Sequence, residues 1–156
     1  MKMSMASILS KVDHYVKSNY MKYVEWFLRI AIAMSFLSAS ADRFGLWPTE
    51  VSAWGNWTAF VEYTGTLLFF LPDCLVHVAA IIATALEVTF GIALLTTYKT
   101  PFFAFGSGIL LLIFALGMVI SLGIKAPFDY SVFSASAAAF ALSAISVTKT
   151  RTKYHI

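Results

Sequence analysis

The sequence predicts an all-α fold: an integral membrane four-helix bundle with an N-terminal interfacial amphipathic helix and a short interfacial helix in the first extracytoplasmic loop. Three observations predict it. The 156 residues are 60% hydrophobic and only 12% charged, about half the charged fraction of an average soluble domain, so the chain cannot cover a soluble surface. Four apolar stretches hold only Glu25, Arg29 and Glu87 of the charged residues, the rest falling in the connections and at the two ends. The lysines and arginines also sort to alternate connections, as the positive-inside rule requires of a multi-pass protein.

Residues 1–22 contain Lys2, Lys11, Lys17 and Lys22, with Ile8, Val12, Tyr15, Val16 and Tyr20 near helical spacing. This pattern predicts a basic amphipathic segment on the inner membrane surface. The first span follows at residues 23–41, interrupted by Glu25 and Arg29. Ala39-Ser40-Ala41 before Asp42 mimics a leader cleavage site, but the basic stretch ahead of the apolar run is long for a leader. An anchor is the better reading.

Residues 42–74 form the one long connection, rich in tryptophan and acidic side chains. Within it Trp57, Phe60, Val61, Thr64, Leu68 and Leu71 share one helical face, Asn56 is a suitable cap and Pro72 a stop. Residues 75–97 are the second span, and Tyr98-Lys99-Thr100-Pro101 turns tightly into the third, residues 101–123. Lys125, Pro127 and Asp129 mark the next turn, residues 131–147 are the fourth span, and residues 148–156 are a basic cytoplasmic tail. The bundle proper is therefore residues 23–147, with antiparallel neighbours joined by short turns.

Lys2, Lys11, Lys17, Lys22, Lys99, Lys149, Arg151 and Lys153 fall on one side, and Arg43 and Lys125 on the other. The acids sort oppositely, which predicts both termini in the cytoplasm and a bacterial-type cytoplasmic (inner) membrane. The single cysteine, Cys74, excludes an intrachain disulfide or a Cys-x-x-Cys pair. His77 is the one histidine near a span, so no metal and no bis-histidine haem is expected. The charge sits mostly at the termini rather than on a folded face, which argues against nucleic acid.

Ionisable residues inside spans carry the functional reading, because each needs a partner, a wet cavity or a task. Glu25 and Arg29, one helical turn apart, can pair near the inner boundary. Glu87 lies close to mid-membrane, where snorkelling cannot rescue it. Helix rise places Arg29 and Glu87 within reach of each other, so an Arg29–Glu87 pair lining a polar pocket in the bundle is expected beside a purely structural contact. Asp42, Arg43, His77, Lys125 and Asp129 form a candidate outer polar cluster, with ordinary solvated helix-end charges as the alternative. Trp54, Trp57 and Phe60 form a candidate partner-docking loop, or anchors to lipid headgroups. Small residues in all four spans, among them Gly91, Gly106, Gly108, Gly117, Ser134, Ala137, Ala138 and Ala141, allow close helix approach.

The order of these pieces carries a resemblance. Arg29 early in the first span, Ser-Ala-Asp-Arg-Phe-Gly at residues 40–45, Glu-Val-Thr-Phe-Gly-Ile at residues 87–92 and Ala-Pro-Phe-Asp-Tyr-Ser at residues 126–131 resemble the DoxX-like family of small four-helix membrane proteins. The match covers residues 29–145. It implies a family with several roles: membrane subunit of an archaeal thiosulfate:quinone oxidoreductase, component of oxidative-stress complexes, and helper in membrane-protein assembly. Asp42-Arg43 departs from the glycine and lysine pattern that many members show there. By this resemblance the chain is an accessory subunit of a membrane assembly, redox or quinone-linked, with Arg29 and Glu87 as the family-like charges, no complete catalytic site and no cofactor of its own. Quinone is the ligand implied, electrons would have to arrive from a protein partner, and the expected associations are the lipid bilayer and a protein partner or homo-oligomer. A non-enzymatic scaffold or assembly factor for another membrane or exported protein is the alternative, and a small transporter the third reading.

Overall fold

A computed structural model describes the backbone of residues 5–154 and the side chains of residues 19–148. Six helices and no strand are found among the described residues: α1 (Met5–Arg43), α2 (Trp57–Leu67), α3 (Asp73–Leu95), α4 (Thr100–Leu122), α5 (Lys125–Asp129) and α6 (Val132–Tyr154). Three stretches, Asn19–Arg43, Asp73–Leu95 and Thr100–Leu122, are long and apolar enough to cross a membrane. The apolar part of α6, Val132–Thr148, is shorter. The chain is a small multi-pass membrane protein.

The long helices α1, α3, α4 and α6 pack in a ring, each against the next and α6 against α1. The lower end of the ring holds the turn at residues 96–99, and the upper end holds α5. Small side chains set how closely the helices approach. A Cβ on Gly108 would lie 2.7 Å from the Phe140 ring, and one on Gly91 would lie 3.0 Å from Leu37 and 3.3 Å from the Ala33 carbonyl. Ser136 donates to the Gly108 carbonyl (2.8 Å) and Ser143 to the Pro101 carbonyl (2.8 Å), fixing α6 antiparallel to α4. The buried face of α6 is Ser136, Ala139, Leu142 and Ser146, while Ser134, Ala137 and Ala141 point outward. Of the small residues expected to allow close approach, Ala138 is half-buried and these three face outward, while Ser136 and Ala139 supply the small inward surface.

Two other expectations change. The N-terminal amphipathic segment is not a separate element, since α1 runs unbroken from Met5 to Arg43. Its side chains before residue 19, and the tail side chains beyond residue 148, lie outside the described residues. The short helix of the first connection forms where the sequence places it, capped by the Asn56 side chain, which accepts from the Ala59 amide at 2.9 Å. It packs against α3 and α4 rather than standing apart. Pro72 does not end α2 but occupies the cap position of α3.

Two apolar cores result. The lower gathers Ile32, Ala33, Phe36, Leu94, Ala104, Leu110, Ala139 and Leu142. The upper gathers Phe60, Val61, Val76 and Ala80, with Trp54, Trp57, Leu68 and Leu71 against it. A layer of buried polar side chains lies between them.

Candidate functional site

The polar layer is built from the last turn of α1 and the middle of α3. Glu87 is 2% exposed and Arg43 3%. Their carboxylate and guanidinium meet as a two-pronged pair, Nη1 to Oε2 at 2.7 Å and Nη2 to Oε1 at 2.9 Å. Two parallel contacts between a planar fork and a carboxylate are the strongest arrangement these groups adopt. Arg43 Nη1 also donates to the Thr84 hydroxyl (2.7 Å), which itself donates to the Ala80 carbonyl (2.9 Å). Ser40 donates to Glu87 Oε2 at 3.4 Å. The guanidinium carbon stands 3.8 Å from the centroid of Phe60 and 5.4 Å from Trp54, so α2 and its leading loop close over the cation. Arg43 Nε has no hydrogen-bond partner.

Arg43 therefore touches three elements at once. It ends α1, pairs with α3 and lies against α2. Removing either member of the pair would leave the other charge buried without compensation, which costs about 3–5 kcal/mol, although the intact pair contributes much less than that.

The neighbouring Asp42 turns the other way. Its carboxylate accepts from the Ser52 hydroxyl and from the amides of Ala53 (2.9 Å) and Trp54 (3.0 Å). Gly45 and Gly55, both at φ +68°, close the neck of the intervening loop, and a Cβ on Gly45 would stand 3.1 Å from the Gly55 carbonyl. A left-handed backbone and this close approach both require glycine. Asp42 thus folds residues 45–55 back on the end of α1. Between that loop and α1 lies a cleft of about 410 Å³ lined by Ser35, Ser38, Ala39, Asp42, Trp47, Val51, Ala53 and Trp54, and Trp47 Nε1 donates to the Ser38 carbonyl at 3.2 Å.

Arg29 and Glu87, expected to pair, do not meet. Arg29 Nε and Nη2 both donate to the Leu94 carbonyl, at 2.8 and 2.5 Å, with Trp26 4.5 Å from its guanidinium carbon. Leu94 is in the last turn of α3, where carbonyls lack helical partners and the dipole favours a cation. Arg29 is a cap. The reason is register: with Gly91 against Ala33 and Leu37, antiparallel packing brings Leu94 to Arg29 and Glu87 to Ser40 and Arg43. Glu25 is also buried, 5% exposed.

The expected outer cluster divides into three places. Asp42 and Arg43 are inside, at the polar layer. His77 is exposed and its Nδ1 lies 3.1 Å from the Asp73 carbonyl. Lys125 and Asp129 form an exposed ion pair one turn apart (2.5 Å). The aromatic loop residues pack inward: Phe60 is buried in the upper core and Trp54 and Trp57 rest against it. The aromatics this connection exposes are Phe44, Trp47, Phe69 and Phe70. Sequence reasoning missed Arg43 as the partner of Glu87, along with Thr84, Ser40 and Ser52. The available signal was that Arg43 is the other arginine at a span end, adjoining an acidic residue that could be satisfied separately.

Among the described residues, no group of three histidine, cysteine, aspartate or glutamate side chains could hold a metal ion. Comparisons with family models, with curated proteins and with solved structures find no match.

Proposed function

We propose that this chain is a DoxX-like accessory subunit of a membrane assembly, without a catalytic site of its own. α6 serves as the fourth span, and both termini face the cytoplasm of a bacterial-type inner membrane. The observation that carries this reading is that the buried charges are committed to the chain's own structure. Arg29 caps α3, Arg43 and Glu87 hold each other, and Asp42 ties the loop. Groups used in this way support scaffolding rather than turnover. What the molecule offers to others is an apolar flank and the cleft beside α1.

The cleft is where we would place a quinone if the chain is quinone-linked rather than a bare scaffold. It is a groove of about 410 Å³, open on one side, which would admit one face of a planar ring rather than enclose it. Trp47 and Trp54 supply flat walls, and Ser35, Ser38 and Asp42 supply polar edges. A planar ring with carbonyl oxygens and an apolar tail suits that combination. Electrons would come from a protein partner.

Purification in mild detergent, followed by identification of co-purifying proteins and extraction of lipids and quinones, tests the proposal. A stable protein partner together with stoichiometric quinone, the quinone lost in Trp47→Ala, is the expected result. A partner without quinone would leave the scaffold reading and remove the quinone. Neither partner nor quinone would overturn both.

A further inference from the structure

α1 is long enough to cross a membrane, but it does not run the full height of the bundle. α1 stops at Arg43, and Arg43 bonds Thr84, which stands eleven residues from either end of α3. α1 therefore ends opposite the middle of α3, with about 16 Å of that helix still above it. α2 has eleven residues, again about 16 Å, and it fills that interval. Phe60, near its start, lies against Arg43 at 3.8 Å. Further along, a Cβ on Gly65 would lie 3.7 Å from Val76. The Leu67 carbonyl, at its end, accepts from Ser121 at 2.5 Å, near the upper end of α4. α2 thus continues upward from the level at which α1 stops.

We propose that α1 and α2 form one broken transmembrane crossing, and that residues 44–46, at the break, lie at membrane depth against lipid acyl chains. Irregular backbone is tolerated in hydrocarbon only where its polar groups are satisfied within the protein. Here the amides at the break are satisfied by an αL helix end at Gly45 and by the Asp42 carboxylate. The amides of Phe44 and Leu46 donate to the Ala41 carbonyl, that of Gly45 to the Asp42 carbonyl, and those of Ala53 and Trp54 to the Asp42 carboxylate. The side chains facing outward at the break are apolar: Phe44 is 61% exposed and Leu46 74%. Glu50 in the loop and Glu62, exposed on α2, each require water within reach and mark the wet side of the segment. The buried pair of Arg43 and Glu87 is then the pin across the break, at the one level where α1, α2 and α3 meet.

Nitroxide labels test the depth directly. In a Cys74→Ser background, single cysteines replace the exposed residues Phe44 and Leu46. Ile113, exposed in the middle of α4, serves as the lipid control, and Lys125 as the water control. The labelled full chain is reconstituted in phosphatidylcholine and phosphatidylglycerol vesicles. Collision rates with oxygen and with a polar nickel chelate are then read by electron paramagnetic resonance. Ratios at Phe44 and Leu46 that match Ile113 are expected, with oxygen favoured several-fold over the chelate. Ratios matching Lys125 would overturn the proposal, as would labels shielded from both reagents, which would mean protein rather than lipid covers the break.

Discussion

Arg29 shows how one side chain at a helix end does the work of a partner residue. Both its donors converge on the carbonyl of Leu94, in the turn where α3 runs out of its own amides. A hydrogen bond from a charged donor to a buried acceptor is worth about 1.5–3 kcal/mol. Arg29→Gln is therefore expected to lower unfolding stability in detergent by about that amount, with no change in how Arg43 and Glu87 interact. Lys125 and Asp129 are the contrast. Their pair is exposed, where screening and side-chain entropy cancel most of the attraction. Asp129→Asn is expected to leave the thermal midpoint unchanged within error. The sequence marks Glu87 readily, because a carboxylate deep in an apolar run has few ways to exist. It does not mark Arg43 as the partner, since that choice depends on how far α1 slides along α3, and no single residue states the slide.

At the scale of elements, glycine and small residues decide that slide. Gly91 accepts Leu37 and the Ala33 carbonyl, and the pairing of Arg29 with Leu94 and of Arg43 with Glu87 follows. Gly108 does the same for α4 and α6, where an added methyl would meet the Phe140 ring at 2.7 Å, whereas a methyl on Gly117 meets nothing within 4 Å. Gly108→Ala is expected to destabilise by about 1–3 kcal/mol through overpacking. Gly117→Ala is expected to be neutral or stabilising by up to about 1 kcal/mol through helix propensity. Thermal unfolding of the two variants in the same detergent checks both signs. Asn56→Ala removes the side-chain cap of α2 and is expected to cost about 1 kcal/mol. The element pattern is largely legible in sequence: α2, with its cap and buried face, and α3 and α4, to within a few residues, all follow from apolar periodicity and turn residues. What periodicity cannot say is which side of α6 faces inward, because small residues occur all around it and Ser136 and Ser143 are fixed only by the carbonyls of Gly108 and Pro101.

The whole molecule is two apolar cores joined through one polar layer. The lower core packs α1, α3, α4 and α6. The upper packs α2 on α3, and Arg43 is the charged side chain that, among the described residues, reaches from α1 to both α2 and α3. This division explains why composition predicts the membrane class while the candidate site eludes it: hydropathy sums over a helix, but the layer depends on four residues from two helices meeting at one height. The most direct test is a double-mutant cycle between Arg43→Met and Glu87→Leu, read as unfolding free energy in mild detergent. Each single variant is expected to lose about 3–5 kcal/mol, and the double variant to lose less than the sum by about 2–3 kcal/mol. A cycle that closes additively, within about 0.5 kcal/mol, would contradict the pairing of Arg43 with Glu87 and, with it, the pin that joins α1, α2 and α3.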